Sequence, residues 1–377
     1  MQPKNVRCAC LLSVGVEGRS ETSYSERINP LNYIFTDHIY LHNYSPIYLR
    51  LLDIIRSTYT GIMGSDSKVE ILQYLVDTRD LWPAATQTKD LEHEASRALA
   101  LLPDDERAAV LRYYFVADAK MSLASHLLKH WAVSRCCGVP WRETRLSRDA
   151  NKKPVYVDPA TGRQPVSFNV SHQCGIVALV AVADGGGEVD VGVDVVCTSE
   201  RRARDHRMVR ADGWAKFVDM HAEVFGRAEA EHLRSGLRPP PGTAEGGEEA
   251  VLDFKLRAFY TLWCLREAYI KMTGEALLAA WLPDLEFRGF RAPAPGRALA
   301  QTGGEEGEET IRRHDIWFEG ARVEDANVCL RSLGPDYMTC TAVRTPRRRE
   351  DALGWDLGPF VFLDVEEILA HAEAASG

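Results

Sequence analysis

Trp263, Glu267 and Lys271 recur at steps of four within a stretch rich in Leu, Phe, Tyr and Trp. On a helix the three share one face in a line. Taken alone, Glu267 and Lys271 are a surface ion pair worth only some tenths of a kcal/mol. The neighbouring Tyr260, Leu262, Leu265 and Tyr269 point instead to a buried helix, in which a carboxylate needs a partner such as a metal ion. Asp194 raises the same question from a strand. It lies in a valine-rich run, where Asp is unfavourable by propensity, and Gly192 leaves room for a ligand or a backbone to approach closely. Asp194 is either a turn-facing residue at a strand end or, with Glu267, half of a hard oxygen site suited to Mg²⁺, whose shell water and phosphate oxygens complete. The second reading implies a phosphorylated substrate.

Groups able to hold such a phosphate lie upstream. Ser171-His172-Gln173 closes a strand, where a His serves either structure or catalysis. Arg148 and Lys152-Lys153-Pro154 form a basic turn, a solvated face unless it meets an anion. Gly185-Gly186-Gly187 precedes a strand rather than a helix, so neither a dinucleotide fingerprint nor a Walker loop is present. No Gly-x-Ser-x-Gly elbow occurs, which argues against a Ser-His-Asp hydrolase.

These residues need elements to hold them. Ile71–Val76 reads as the first convincing strand, and the segment from Pro103 to Val133 as a helix, with Asp104 and Asp105 charging its first turn and Leu123, Leu127, Leu128 and Trp131 at helical spacing. Val166–Ala183 reads as two strands with a turn at Gln173–Gly175. From Glu188 to Val196, Val189, Val191, Val193 and Val195 alternate with Asp190, Gly192 and Asp194, a strand with one buried face that presents Asp194 on the other. Asp253–Met272 is the strongest helix, stopped at Gly274. Further strands are expected at Asp315–Phe318, Val328–Ser332 and Met338–Val343. Residues 238–250 and 293–310, rich in Pro, Gly and Glu, read as mobile insertions. Mixed strands and helices argue for α/β or α+β rather than a bundle.

The chain has 377 residues, against a soft prior of roughly 150 per domain, so two domains or one duplicated one are the candidates. Its composition, 45% hydrophobic and 26% charged, is that of a globular chain. A net charge of −9 argues against a nucleic-acid binder relying on bulk positive charge. No apolar run approaches the roughly 18 residues needed to span a bilayer, and the N-terminal patch around Cys10–Val16 is interrupted by Gly15, unlike a secretory signal. Nine scattered cysteines without a Cys-x-x-Cys pair fit a reducing cytoplasm rather than a disulfide framework or zinc site. Residues 1–65 read as an extension that is packed, disordered or upstream of the true start.

Taken in order, Arg148…Lys153-Pro154, Phe168-Asn169-Val170-Ser171-His172-Gln173, Gly192-Val193-Asp194-Val195-Val196 and Trp263 to Lys271 resemble the 4′-phosphopantetheinyl transferases of the Sfp type. Met272-Thr273-Gly274-Glu275-Ala276-Leu277-Leu278 and Met121-Ser122-Leu123-Ala124-Ser125 resemble its fungal, broad-specificity branch. The resemblance covers about residue 71 to the C-terminus. It implies a pseudo-twofold tandem of two similar α/β halves, 71–185 and 186–377, with the site in the cleft between them, acting as a monomer.

It also implies the reaction: the phosphopantetheine arm of coenzyme A passes to a serine of an apo acyl or peptidyl carrier domain, releasing adenosine 3′,5′-bisphosphate. Expected partners are carrier domains of polyketide synthases, non-ribosomal peptide synthetases and the aminoadipate reductase of lysine synthesis. By the same resemblance Mg²⁺ sits on Asp194 and Glu267, with Gln173 contributing directly or through water. The acidic residue that many bacterial members carry two positions after the strand Asp is Val196 here. Lys271 neutralises a phosphate oxygen, Ser171 and His172 bind the pyrophosphate, and Arg148 and Lys153 grip the adenosine 3′-phosphate, with Lys120 as a further candidate. Either Glu267 or a metal-bound water takes the serine proton. The competing readings are a non-catalytic coenzyme A-binding scaffold, which predicts a lost metal carboxylate, and a Mg-dependent phosphohydrolase, which predicts release of phosphopantetheine to water.

Overall fold

The unbroken apolar run Ile176–Ala183 forms a strand buried on both faces, and it sets the layering of the molecule. The computed structural model describes residues 69–183, 188–275, 279, 281–297 and 308–374, which fall within one unit. The N-terminal extension, the Gly185–Gly187 run and most of the 293–310 insertion lie outside the described residues.

In chain order the principal elements are β1 (Glu70–Asp77), α1 (Asp104–Val110), α2 (Val116–Cys137), β2 (Ser167–Gln173), β3 (Ile176–Ala183), β4 (Asp190–Cys197), α3 (Arg202–Asp212), α4 (Gly247–Thr273), β5 (Asn327–Leu333), β6 (Tyr337–Arg344) and α5 (Val365–Ala374). One sheet runs in the order 361–362, β1, β3, β2, and the other β4, β6, β5, 310–311. Val177, Leu179 and Ala181 of β3 pack under Leu123, Leu127 and Leu128 of α2. The alternate residues Ile176, Ala178, Val180 and Val182 meet Val191, Val193 and Val195 of β4. Beyond the second sheet, Met338, Cys340 and Ala342 of β6 pack against Leu262, Leu265 and Ala268 of α4. The result is a four-layer stack, helix on sheet on sheet on helix, an α/β architecture. The C-terminal strand 361–362 pairs in parallel with β1, and Val365, Ile368 and Leu369 of α5 bury beside α2.

Most expected elements are present, including a tight hairpin between β2 and β3. Cys174 and Gly175 both take positive φ there, 48° and 86°, as a two-residue turn matched to strand twist requires. Three expectations are corrected. The segment 103–133 is two helices, not one, because the chain turns between Val110 and Val116. The turn brings Glu106 Oε2 to 2.8 Å from His126 Nδ1 and 2.9 Å from His130 Nε2; on one straight helix Glu106 and His126 would be about 30 Å apart. Strand β4 is buried on both faces. Helix α4 starts at Gly247, so residues 247–250 of the expected insertion are helical. Glu249 and Asp253 there are held by Arg202 of α3, and Glu249 also by Arg210.

Candidate active site

Helix α4 and strand β4 touch at Gly192. A Cβ on that glycine would lie 2.0 Å from Ala268 O and 2.4 Å from Met272 N, so only glycine admits the helix this closely. The room left by Gly192 is therefore filled by backbone. This contact lays the Trp263–Glu267–Lys271 face of α4 over Asp194, the residue two places further along the strand.

Five side chains converge there. Ser171 Oγ donates to Asp194 Oδ1 at 2.8 Å. Lys271 Nζ donates to the same oxygen at 2.6 Å and to Ser171 Oγ at 3.0 Å, and stands 3.8 Å from Glu267 Oε2. Trp263 Nε1 donates to Glu267 Oε1 at 3.2 Å. Asp194 is only 2% exposed and Glu267 6%. Burial drives the Glu267 pKa well above the usual carboxylate range; Lys271 pulls it down and the Asp194 charge pushes it up. Two buried carboxylates thus share one ammonium, which leaves the pair short of positive charge. The Lys271 ammonium marks where cationic charge is wanted, and two carboxylates with a hydroxyl make a hard oxygen donor set, so these residues fit a divalent ion of the Mg²⁺ kind. Among the described residues no cluster of three His, Cys, Asp or Glu side chains could hold a metal.

Strand β2 supplies the opposite wall. Its alternation sends Asn169, Ser171 and Gln173 toward β4 and His172 toward α2. Asn169 Oδ1 accepts from Val193 N–H and Gln173 Oε1 from Cys197 N–H, each at 3.0 Å. Gln173 also donates to Glu200, so its amide is engaged at the end of β4, away from the carboxylate pair. His172 was expected among the groups able to hold a phosphate. Burial, aided by the nearby positive charges of Lys271 and Lys129, lowers its pKa to about 4, so it is a neutral imidazole near pH 7.

The basic turn is built by the Asp149 carboxylate, which accepts from Asn151 N–H at 2.9 Å and Lys153 N–H at 2.8 Å. Arg148 is exposed and reaches Lys152 O at 2.8 Å. Lys153 turns inward: its ammonium donates to Val191 O at 2.9 Å and lies 3.4 Å from Lys271 O, and burial lowers its pKa. Lys153 thereby ties the end of α4 to β4. Lys120 is buried in the first turns of α2, where burial lowers its pKa and the field of Asp80 opposes that. Lys129, which was not among the expected site residues, bears on His172 from α2.

Comparison with known proteins places these features in context. Residues 88–184 match a family model described as 4′-phosphopantetheinyl transferase, N-terminal, and residues 190–322 one described as the 4′-phosphopantetheinyl transferase superfamily. The chain is 47% identical over 312 residues to 4′-phosphopantetheinyl transferase 1 of Fusarium mangiferae, covering 83% of this chain and 98% of that protein. It is 35% identical over 339 residues to 4′-phosphopantetheinyl transferase of Aureobasidium melanogenum, covering 79% and 96%. It is also 26% identical over 215 residues to the L-aminoadipate-semialdehyde dehydrogenase-phosphopantetheinyl transferase of Schizosaccharomyces pombe, covering 56% and 70%.

Proposed function

The chain belongs to the 4′-phosphopantetheinyl transferase family, which moves phosphopantetheine from coenzyme A to carrier proteins, and from that premise we propose that the Asp194–Glu267–Lys271–Ser171 cluster is where it does so. The observation that carries the assignment is the Lys271 ammonium 2.6 Å from Asp194 and 3.8 Å from Glu267.

Asp194 and Glu267 would hold Mg²⁺, which supplies positive charge to the pyrophosphate as negative charge builds on the leaving group. Lys271 orients Asp194 and offers a second cation to a phosphate oxygen. The His172 ring donates a hydrogen bond that fixes the pyrophosphate in line with the incoming serine, and Ser171 Oγ, whose one proton goes to Asp194, holds that carboxylate beside it. Glu267 is the carboxylate with the raised proton affinity, which supports it as acceptor of the serine proton. The serine oxygen then bonds to the β-phosphorus, the bond from that phosphorus to its bridging oxygen breaks, and adenosine 3′,5′-bisphosphate leaves. Arg148 faces the adenosine 3′-phosphate, with Lys153 setting the floor of the cleft beneath it. Gln173 acts through the Cys197 and Glu200 contacts that hold the rim.

The targets in this reading are carrier domains of polyketide synthases, non-ribosomal peptide synthetases and aminoadipate reductase; the name of the fission-yeast relative supports the last. The family matches begin at residue 88, and in this reading residues 1–65 are an extension to a monomeric unit of two halves. Among the described residues no helix is long and apolar enough to cross a membrane, which is compatible with a cytoplasmic site of action. The test is incubation with coenzyme A, Mg²⁺ and a purified apo carrier domain, followed by intact-mass analysis. A phosphopantetheine mass gain on the carrier is expected. No gain, with a known transferase working in parallel, would refute the reading, and free phosphopantetheine in its place would identify a hydrolase.

A further inference from the structure

Where β2 and β4 end side by side, two thiols meet that the reaction as described leaves unused. Asn169 accepts from Val193 N–H and Gln173 from Cys197 N–H, an offset of 24 residues at both contacts, so the two strands run in the same direction. That register carries Cys174, the residue after Gln173, up to Cys197. Cys197 belongs to the apolar layer between the sheets and Cys174 packs against that layer. There the Cys174 thiol hydrogen-bonds the Cys197 sulfur. Tyr337 brackets the pair: it stands opposite Cys197 in the β4–β6 ladder, and its hydroxyl donates to Cys174 O at 2.7 Å.

The surroundings of Cys197 favour its thiolate. The Cys174 thiol, the Ser199 hydroxyl and the N–H groups of Ser199 and Glu200 hydrogen-bond its sulfur, and together they bring its pKa below the ordinary thiol value although burial opposes them. The thiolate is the nucleophilic form of cysteine. Cys136 and Cys137, adjacent in sequence, are the contrast within the chain: burial pushes both thiols up, to about 12 and about 11, which leaves them inert. Cys174 is half-buried and Cys197 buried, so only a small oxidant such as hydrogen peroxide reaches the pair.

We propose that Cys174 and Cys197 form a peroxide-sensitive thiol pair whose closure to a disulfide slows transfer until a thiol reductant reopens it. The Cys197 thiolate attacks one peroxide oxygen, an S–O bond forms as the O–O bond breaks, and the departing hydroxide takes the Cys174 proton and leaves as water. The Cys174 sulfur then attacks the Cys197 sulfenic acid. The S–S bond forms, the S–O bond breaks, and the second hydroxide takes a proton from solvent. Two thiol sulfurs are oxidised and the two peroxide oxygens reduced. A disulfide holds its sulfurs about 2 Å apart, well inside hydrogen-bonding contact. The bond therefore draws β2, with Ser171 and His172, against β4, with Asp194, and a displacement of about 1 Å can cost a well-positioned site on the order of 10²-fold. The bond itself is independent of the transferase reading; its effect on transfer rests on it.

The test exposes the full-length protein to hydrogen peroxide, removes the oxidant with catalase, and divides the sample between peptide mapping and a transfer assay with coenzyme A, Mg²⁺ and an untreated apo carrier domain. Cleavage at the acidic residues between the two cysteines, Asp184, Glu188 and Asp190 among them, separates their peptides unless a disulfide joins them. A linked Cys174–Cys197 peptide is expected, about 2 Da lighter than the sum of its reduced parts. The initial rate of transfer should fall at least about threefold, the mark of a site pulled out of alignment, and dithiothreitol should reverse both changes. Cys174→Ser should keep the basal rate of the reduced wild type and lose both responses to peroxide. If Cys174→Ser does not melt cooperatively, Cys174→Ala takes its place. No linked peptide, a linked peptide with unchanged transfer, or an equal loss of transfer in the Cys174 variant overturns the proposal. Reduced wild-type protein that transfers nothing overturns the transferase reading instead, and the peptide map then decides the bond alone.

Discussion

At the scale of single residues the site combines two carboxylates with opposite obligations. Asp194 is satisfied by Lys271 and Ser171, whereas Glu267 is buried with a raised pKa and an indole as its close donor. Substituting either should reduce transfer by about 10²-fold or more, as loss of a preorganised charge at the reacting centre does, and steady-state assays of Asp194→Ala and Glu267→Gln check this. Stability should move the other way for Glu267→Gln. A carboxylate whose folded pKa is raised costs stability once the pH exceeds its unfolded pKa, and the cost is complete above the folded value. The metal-free Glu267→Gln protein should therefore melt higher than wild type at pH 8.5 and equally at pH 4, the pH values being about those that bracket the shift; a lower melting temperature at the alkaline pH would contradict the burial argument. The carboxylate pair was legible in the sequence because an Asp in a valine strand and a Glu in an aromatic helix are each out of place. Lys153 was legible as a cation but not in its direction, which depends on a turn that Asp149 folds through backbone contacts.

At the scale of elements, the return of α1 onto α2 was hidden from sequence. Residues 103–133 hold helix-forming side chains on both sides of the turn, and the exposed Tyr113, Tyr114 and Phe115 within it carry no glycine or proline to mark a break. The docking rests on Glu106. Its burial alone would raise its pKa, but the hydrogen bonds from His126 and His130 outweigh that and hold it below the usual carboxylate range. A depressed carboxylate contributes stability that is present above its unfolded pKa and lost as pH falls toward the folded one. His126, whose pKa burial lowers, adds a loss of the same sign below the unfolded histidine pKa. Wild type should lose melting temperature steadily from pH 7 to pH 4. Glu106→Gln should start lower at pH 7 and fall less steeply, and parallel slopes would show that the cluster does not carry the acid sensitivity. Strand β4 misled in a related way: its glycine and aspartate imitate a solvated face, while the helix that covers that face lies some seventy residues on.

At the scale of the molecule, the alternation and apolar runs marked the central strands and the mixed α/β class, but not their layering or the chain's final crossing. Residues 361–374 return to the first sheet, where Leu363 N–H donates to Leu75 O at 2.8 Å and Ile368, Leu369 and Ala372 are buried. Nothing local in that segment names its partner strand, Leu75 lying 288 positions upstream of Leu363. Truncation after Phe360 should leave β1 without its parallel neighbour and open the core beside α2. Since each buried Leu or Ile side chain removed costs about 2–5 kcal/mol, the shortened chain should be insoluble or molten by near-ultraviolet dichroism, and a cooperative melt near the wild-type temperature would refute the role given to α5.

The seam between β2 and β4 differs from the rest of the sheets in being made by side chains. Val193 and Cys197 donate their N–H groups to Asn169 and Gln173 amides, while β4 pairs along its length with β6 on the other edge. Releasing such a bond takes one side-chain rotation rather than the parting of a ladder, so these two amides are protected only by local closure. In hydrogen exchange they should trade with solvent well before the buried amides of β3. Bound coenzyme A should slow them selectively, making two backbone protons a direct gauge of how often this seam parts.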